Sequence, residues 1–127
     1  MRIHHIALSV WNLNASIKFY KDLFGFQETR RFEKQELLGK AAFLKLDGVA
    51  LEIWEFQDQR EPKDDLSDLN IFGIKHIAIE VENVDEQYKK ISGFGIKISP
   101  PKKGITGTYC FLKDPDGIVL ELYQPHK

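Results

Sequence analysis

A chain of 127 residues with 43% hydrophobic and 29% charged side chains is long enough to bury a core and too ordinary in composition for disorder or a membrane fold. A formal net charge of −1, a pI of about 6.4 and no concentration of Lys and Arg argue against nucleic acid as a partner. The one cysteine, Cys110, has no internal disulfide partner, and histidines interrupt the start MRIHHIALSV where a signal peptide needs an apolar run, so a cytoplasmic protein is expected.

IHHIALSV alternates and is rich in branched residues, the pattern of a strand. NLNASIKFYKDLFG follows as a helix, with Asn12 or Asn14 at its cap, Ile17, Tyr20 and Phe24 at helical spacing, and Gly25 as its stop. Strands are expected near 26–33, 41–47 and 49–56, with Asp47-Gly48 as a hairpin turn. Residues 57–70, QDQREPKDDLSDLN, are polar, contain Pro62 and lack periodicity, which marks a connector.

The pattern then starts again. HIAIEV is a strand, and ENVDEQYKKISGFG is a helix with Asn83 or Asp85 at the cap and Gly93 and Gly95 at the end. Strands are expected near 95–99, 106–113 and 118–124, the last two joined by Asp116-Gly117. SPPKKGITG at 99–107 is a mobile-looking loop, a candidate lid.

The recurrence is a duplication. With His5 set against His76, five of the eight residues in HIALSVWN and HIAIEVEN are identical. FLKLDGVALEIW at 43–54 faces FLKDPDGIVLELY at 111–123, which brings Glu52 opposite Glu121 while the offset drifts only from 71 to 69. The chain therefore holds two β-α-β-β-β modules, one at about 1–56 and one at about 71–127, on either side of the connector, together making one domain over 1–127.

Strand parity then separates two faces. Ile6, Leu8 and Val10 share one side of the first strand, leaving His5, Ala7 and Ser9 on the other. Leu51 and Ile53 oppose Ala50, Glu52 and Trp54. The second module repeats this, with Ile77, Ile79, Val81, Leu120 and Leu122 against His76, Ala78, Glu80, Val119, Glu121 and Tyr123. The apolar faces are expected to pack under the helices. The other face, with small alanines, aromatic walls, two histidines and two carboxylates, is expected to form a cavity. A duplicated module usually sets its copies about a pseudo-two-fold axis, so His5, Glu52, His76 and Glu121 are expected to meet around one divalent first-row metal, with open positions for water or substrate. Buried carboxylates are costly unless paired or ligated, which favours a cation. His4 faces Lys75 in the repeat and is expected on the opposite side of its strand, and His126 lies in the tail.

These residues resemble the vicinal oxygen chelate superfamily, which includes glyoxalase I (lactoylglutathione lyase), methylmalonyl-CoA epimerase, extradiol dioxygenases, fosfomycin-resistance thiol transferases and bleomycin-binding proteins. The strongest signatures are HHIALSV-x-NL-x-x-SI-x-FY-x-x-x-FGF and DPDG-x-x-x-ELY. The resemblance implies an α+β fold in which two tandem βαβββ modules form a curved, mixed, eight-stranded sheet around a metal-binding cavity, with the helices outside. It also implies a homodimer, in keeping with the open edges that eight strands leave.

By the same resemblance, dioxygenases and fosfomycin enzymes use two histidines and one glutamate, while a four-residue set such as His5, Glu52, His76 and Glu121 is similar to glyoxalase I. Nickel, cobalt or zinc is then the expected metal, with manganese or iron as alternatives. The chemistry implied is proton transfer through a metal-stabilised enediolate on an α-oxygenated carbonyl or hemithioacetal, with Glu121 as the base and Glu52 as its counterpart. Ala7, Trp54, Ala78, Tyr109, Tyr123 and Lys103 are the expected substrate-pocket residues, with Phe43 and Lys102 as further candidates. Ser9 stands where glutathione-dependent members carry arginine, and Glu55-Phe56-Gln57 where they carry Asn-Trp-Gly, which counts against glutathione as the thiol and leaves a different thiol adduct, or another α-oxygenated substrate, open. The alternatives are an epimerase-like isomerase, an oxygen-using or thiol-transferring relative in which Glu52 is dispensable, and a non-catalytic small-molecule binder that holds its ligand without metal.

Overall fold

A computed structural model describes residues 1–127, and the chain divides into two units, Met1–Glu61 and Pro62–Lys127. In the first, β1 (His5–Ser9) leads into α1 (Leu13–Phe24), followed by β2 (Gln27–Lys34), a 3-10 turn at Gln35–Leu37, β3 (Gly39–Leu46) and β4 (Val49–Phe56). The second repeats the order with β5 (Ile77–Glu80), α2 (Val84–Gly93), β6 (Lys102–Lys103), β7 (Gly107–Lys113) and β8 (Val119–Pro125). The eight strands are bonded as two sheets of four, ordered β1-β4-β3-β2 and β5-β8-β7-β6, rather than as one continuous ladder. In each sheet the first strand pairs parallel with the last, and the other pairs are antiparallel. The α+β class and the tandem βαβββ order are those expected from the sequence.

Local chemistry sets the helix ends. Asn12 caps α1 by accepting from the Ala15 amide at 2.9 Å, and Gly25, at φ 76°, supplies the left-handed residue that ends it. Asn83 does the same for α2, accepting from the Glu86 amide at 3.1 Å, and Asp85 and Glu86 complement the positive end of the helix dipole. Leu13, Ile17 and Tyr20 on α1 are buried with Leu44 of β3 and Leu51 and Ile53 of β4. Val84 and Ile91 on α2 are buried, as are Leu112 of β7 and Leu120 and Leu122 of β8. At about 1.5–3 kcal/mol for each large apolar side chain, these faces hold each helix against its sheet. Ile6 and Leu8 are only half-buried, because β1 is a sheet edge.

Two expectations change in the second unit. The strand near 95–99 is reduced to one bridge, Ile98 to Leu112. Gly95 turns the chain at φ 77°, and Pro100 and Pro101 bring no N–H groups to a ladder. The loop at 99–107 is a tied hairpin rather than a free lid. The Gly104 amide donates to the Gly107 carbonyl at 2.8 Å, the Tyr123 hydroxyl lies 2.8 Å from Thr106 Oγ1, and His126 Nε2 lies 3.0 Å from the Gly104 carbonyl oxygen.

Asp114 explains the second hairpin better than Asp116 does. Its buried carboxylate accepts from the amides of Asp116 and Ile118, both at 2.9 Å, a side-chain replacement for turn hydrogen bonds. The segment before β5 is organised by a lysine. Lys75 Nζ donates to the carbonyls of Leu66 and Asp68, each at 3.0 Å, and to that of Ile71. Lys75→Met leaves those carbonyls without their cation, so amide exchange across residues 65–71 is expected to accelerate by about 1–2 kcal/mol of local opening with little change in global Tm. Hydrogen–deuterium exchange of the two proteins measures this.

Cys110 faces the core of the second unit and is 1% exposed. Burial, aided by the Asp85 and Glu121 carboxylates, pushes its thiol up to about 11. Since the thiolate is the reactive form, iodoacetamide at pH 8 is expected to leave native protein unmodified and to label Cys110 only as guanidinium unfolds the chain, which mass spectrometry follows.

Candidate metal centre

In the first unit the register sets Ala7 of β1 and Phe43 of β3 on either side of Glu52 on β4, with His5 beside Ala50. Paired strand residues share a face, so His5, Ala7, Phe43 and Glu52 lie together as the parity predicts. The His5 and Phe43 rings meet edge to face, with centroids 5.5 Å apart. Trp54, two residues beyond Glu52, turns its indole N–H back to donate to Glu52 Oε1 at 2.7 Å. That leaves Glu52 Oε2 as the free carboxylate oxygen.

Trp54 is itself held on both sides. Phe32 of β2 packs against it edge to face at 5.3 Å. Phe56 stacks on it at 5.3 Å with ring planes 3° apart. The stack has room because residue 39 is glycine: a Cβ there would lie 2.8 Å from the Phe56 ring and 3.2 Å from the Trp54 ring.

The second unit builds the same half-site with different bonds. Ala78 of β5 and Phe111 of β7 flank Glu121 on β8, and His76, just ahead of β5, approaches diagonally. His76 Nε2 lies 2.7 Å from Glu121 Oε2, with side-chain exposures of 37% and 13%. Phe111 meets the His76 ring at 5.6 Å, and Tyr109 packs on Phe111 at 5.4 Å. Tyr123, the counterpart of Trp54, gives its hydroxyl to Thr106, so Glu121 has no aromatic donor.

Each unit thus joins one histidine and one glutamate on one sheet face. No three His, Cys, Asp or Glu side chains gather closely enough to hold a metal in this structure. His5, Ala7, Ser9, His76, Ala78 and Glu80, on or beside the edge strands β1 and β5, are exposed, whereas on the inner strands of the same face Ala41 and Ala50 are buried and the Glu121 side chain is 13% exposed. Of the expected pocket residues, Ala7 and Trp54 belong to the first half-site, and Ala78, Tyr109 and Tyr123 to the second. Lys103 does not: it pairs with Thr108, while Lys102 pairs with Tyr109 and shares the site face. A one-residue difference in register decides this.

His4 also departs from expectation. The strand begins at His5, so the pleat does not direct His4 away, and its Nδ1 lies 2.9 Å from His5 Nδ1. With Nδ1 so engaged, His5 keeps Nε2 free, the nitrogen that His76 also directs into its half-site. Phe111 is a further residue of this face, and the repeated Phe-Leu-Lys at 43–45 and 111–113 aligns it with Phe43. Phe32, Phe56 and Gly39 carried no such signal.

Imidazole nitrogen with carboxylate oxygen is a donor set suited to a divalent first-row ion, and His76 Nε2 and Glu121 Oε2 are near enough to be neighbouring ligands. The residues fit the group.

Residues 2–122 match the sequence model of the Glyoxalase/Bleomycin resistance protein/Dioxygenase superfamily. A probable lactoylglutathione lyase of Vibrio parahaemolyticus is 35% identical over 97% of this chain and 90% of its own length. A lactoylglutathione lyase of Neisseria meningitidis is 31% identical over 98% of this chain and 91% of its own. The crystal structure of a glyoxalase family protein from Enterococcus faecalis superimposes with a TM-score of 0.81 at 30% identity, covering 96% of each chain. The chain belongs to the glyoxalase/bleomycin resistance protein/dioxygenase superfamily.

Proposed function

We propose that the chain is a divalent-metal-dependent lyase or isomerase of the lactoylglutathione lyase type, moving a proton between neighbouring carbons of an α-oxygenated carbonyl or hemithioacetal. The observation that carries this reading is the histidine–glutamate pair repeated on the same face of both units, each flanked by a phenylalanine. In it His5, Glu52, His76 and Glu121 are the ligands of one metal, Ni, Co or Zn before Mn or Fe. The two pairs come from one chain or are exchanged between two copies in a homodimer. When bound, such an ion supplies Lewis-acid stabilisation of the negative charge that develops as the carbon-bound proton leaves.

The two glutamates differ in a way that supports different roles for them. Trp54 fixes Glu52 through one oxygen, which makes it the stationary carboxylate. Glu121 has no aromatic donor, and its contact in the half-site is with His76, so it is the one able to swing to substrate, take the proton and return it to the adjacent carbon. Phe43 and Phe111 pack against the His5 and His76 rings, which limits the orientations those imidazoles can take.

Calorimetric titration of stripped protein with Ni, Co, Zn, Mn and ferrous ions tests the reading, followed by assays with hemithioacetals of several thiols. One ion per paired set of half-sites, with affinity clearly lower in Glu52→Gln, is expected. Binding unaltered in Glu52→Gln would instead favour three-ligand chemistry, and absence of binding would favour a non-catalytic binder.

A further inference from the structure

Two neighbouring arginines on β2 belong to opposite faces of the first sheet. The β2–β3 ladder breaks register between Glu28 and Arg30, with Thr29 as the extra residue, and a bulge of this kind re-aims the side chains that follow it. Beyond it Arg30 pairs with Phe43, Arg31 with Ala42 and Phe32 with Ala41. Paired residues share a face, so Arg30 joins the row of Phe43, Glu52 and Ala7. Arg31 stands on the helix side with Glu28, which pairs with Leu44. Without the extra residue, Thr29 would take the place of Arg30 opposite Phe43.

Arg31 is committed to the fold. Its Nε and Nη2 donate to the two Glu28 oxygens at 3.1 and 2.9 Å, and its Nη1 donates to Asn14 Oδ1 of α1 at 2.9 Å. Arg30 is exposed and enters no ion pair, and its guanidinium lies 6.0 Å from the centroid of the Phe32 ring. Lys45, in the row of Ala50 and His5, and Lys34, in the row of Gly39 and Phe56, lie on the same face, also exposed. The one carboxylate in these rows is Glu52, already bonded by Trp54. The outer strands of this face are therefore a cationic rim.

Between Glu52 and Arg30 the face is aromatic. The Phe32 ring lies 5.9 Å from Phe43 and 5.3 Å from Trp54, centroid to centroid. Two strand spacings, about 10 Å, separate the backbones of Glu52 and Arg30. A ligand held at Glu52 and crossing this floor brings its far end to a guanidinium whose fixed fork matches an oxyanion. A hydrocarbon or aromatic spacer suits the floor, whereas the amides of a peptide spacer would lose hydrogen bonds against it.

We propose that Arg30, delivered to this face by the bulge at Thr29, is a specificity-determining residue that holds the terminal oxyanion, carboxylate or phosphate, of a substrate with an apolar middle. The assignment rests on the function given above, since it extends the first half-site outward.

The test uses metal-free, full-length, isotopically labelled protein, so that it stands apart from the metal titration. Phenylbutyrate and phenethyl phosphate serve as anionic probes and phenylbutylamine as the cationic one. NMR titration is expected to shift the Arg30 Nε–H and Trp54 indole resonances with the anions and not with the amine, and the tighter anion identifies the terminal group. Arg30→Gln should weaken that binding about tenfold. Arg31→Gln, which cuts the ties to Glu28 and Asn14, should lower Tm and leave the probe affinity of the folded protein unchanged. Equal response to the amine, wild-type affinity in Arg30→Gln, or an equal loss in Arg31→Gln overturns the proposal even where metal binding succeeds. Failure of the metal titration with retained, Arg30-dependent probe binding would overturn the catalytic reading and leave the face as an anion-binding site.

Discussion

Glu121→Gln is expected to lower kcat by about 10²- to 10⁴-fold, the usual contribution of a positioned proton-transfer group, while the protein stays folded. Glutamine has the shape of glutamate and places an amide oxygen where the carboxylate oxygen lies 2.7 Å from His76 Nε2 in the second unit, so the local packing is kept. Trp54 still donates to Glu52 in the first unit. What the variant loses is basicity, together with part of the charge that attracts a metal. The measurement is therefore turnover of a hemithioacetal at saturating metal, with bound metal determined in the same samples. Glu52→Gln should behave in the opposite sense: metal affinity falls most, and turnover at full occupancy falls less than in Glu121→Gln. Equal loss of turnover in the two variants at full occupancy would refute the division of roles between a fixed and a movable carboxylate.

Most of the framework behind that prediction is legible in the sequence, because the duplication writes it twice. His5 and His76 open matching strands, Glu52 and Glu121 close matching hairpins, and period-two alternation alone puts all four opposite the apolar residues. Asn12, Gly25 and Asn83 mark helix ends through local hydrogen bonding and φ, which depend on few neighbours. Contacts set by register or by distant side chains were not legible. Lys102 and Lys103 exchange roles according to how two residues pair with β7. His4 turns toward His5 because the strand starts one residue later than alternation suggests. Lys75 looks like one more surface charge until the carbonyls of residues 66, 68 and 71 are seen around its ammonium.

Gly107→Ala is expected to destabilise the protein by about 2–3 kcal/mol, seen as a fall in Tm of roughly 10 °C, although it adds a single methyl group. Gly107 opens β7 opposite Pro125. A Cβ there would lie 2.6 Å from the Gln124 carbonyl oxygen and 2.6 Å from the Tyr123 ring. The oxygen belongs to the backbone of a paired strand and has nowhere to retreat without breaking the β7–β8 ladder. Moving Tyr123 would also strain its 2.8 Å contact with Thr106, which ties the 99–107 hairpin to the sheet. Gly39→Ala provides the contrast. The nearest atoms there belong to the Phe56 and Trp54 side chains, which can rotate, so the expected cost in Tm is small and the effect is on the site. Displacing Trp54 loosens its hold on Glu52, and tryptophan fluorescence together with metal affinity should change where thermal stability does not. If Gly39→Ala instead lost stability as Gly107→Ala does, the aromatic stack would be part of the core of the first unit, and its link to Glu52 would be a by-product of packing. The two glycines thus separate what each sheet needs in order to fold from what the first half-site needs in order to hold its carboxylate still.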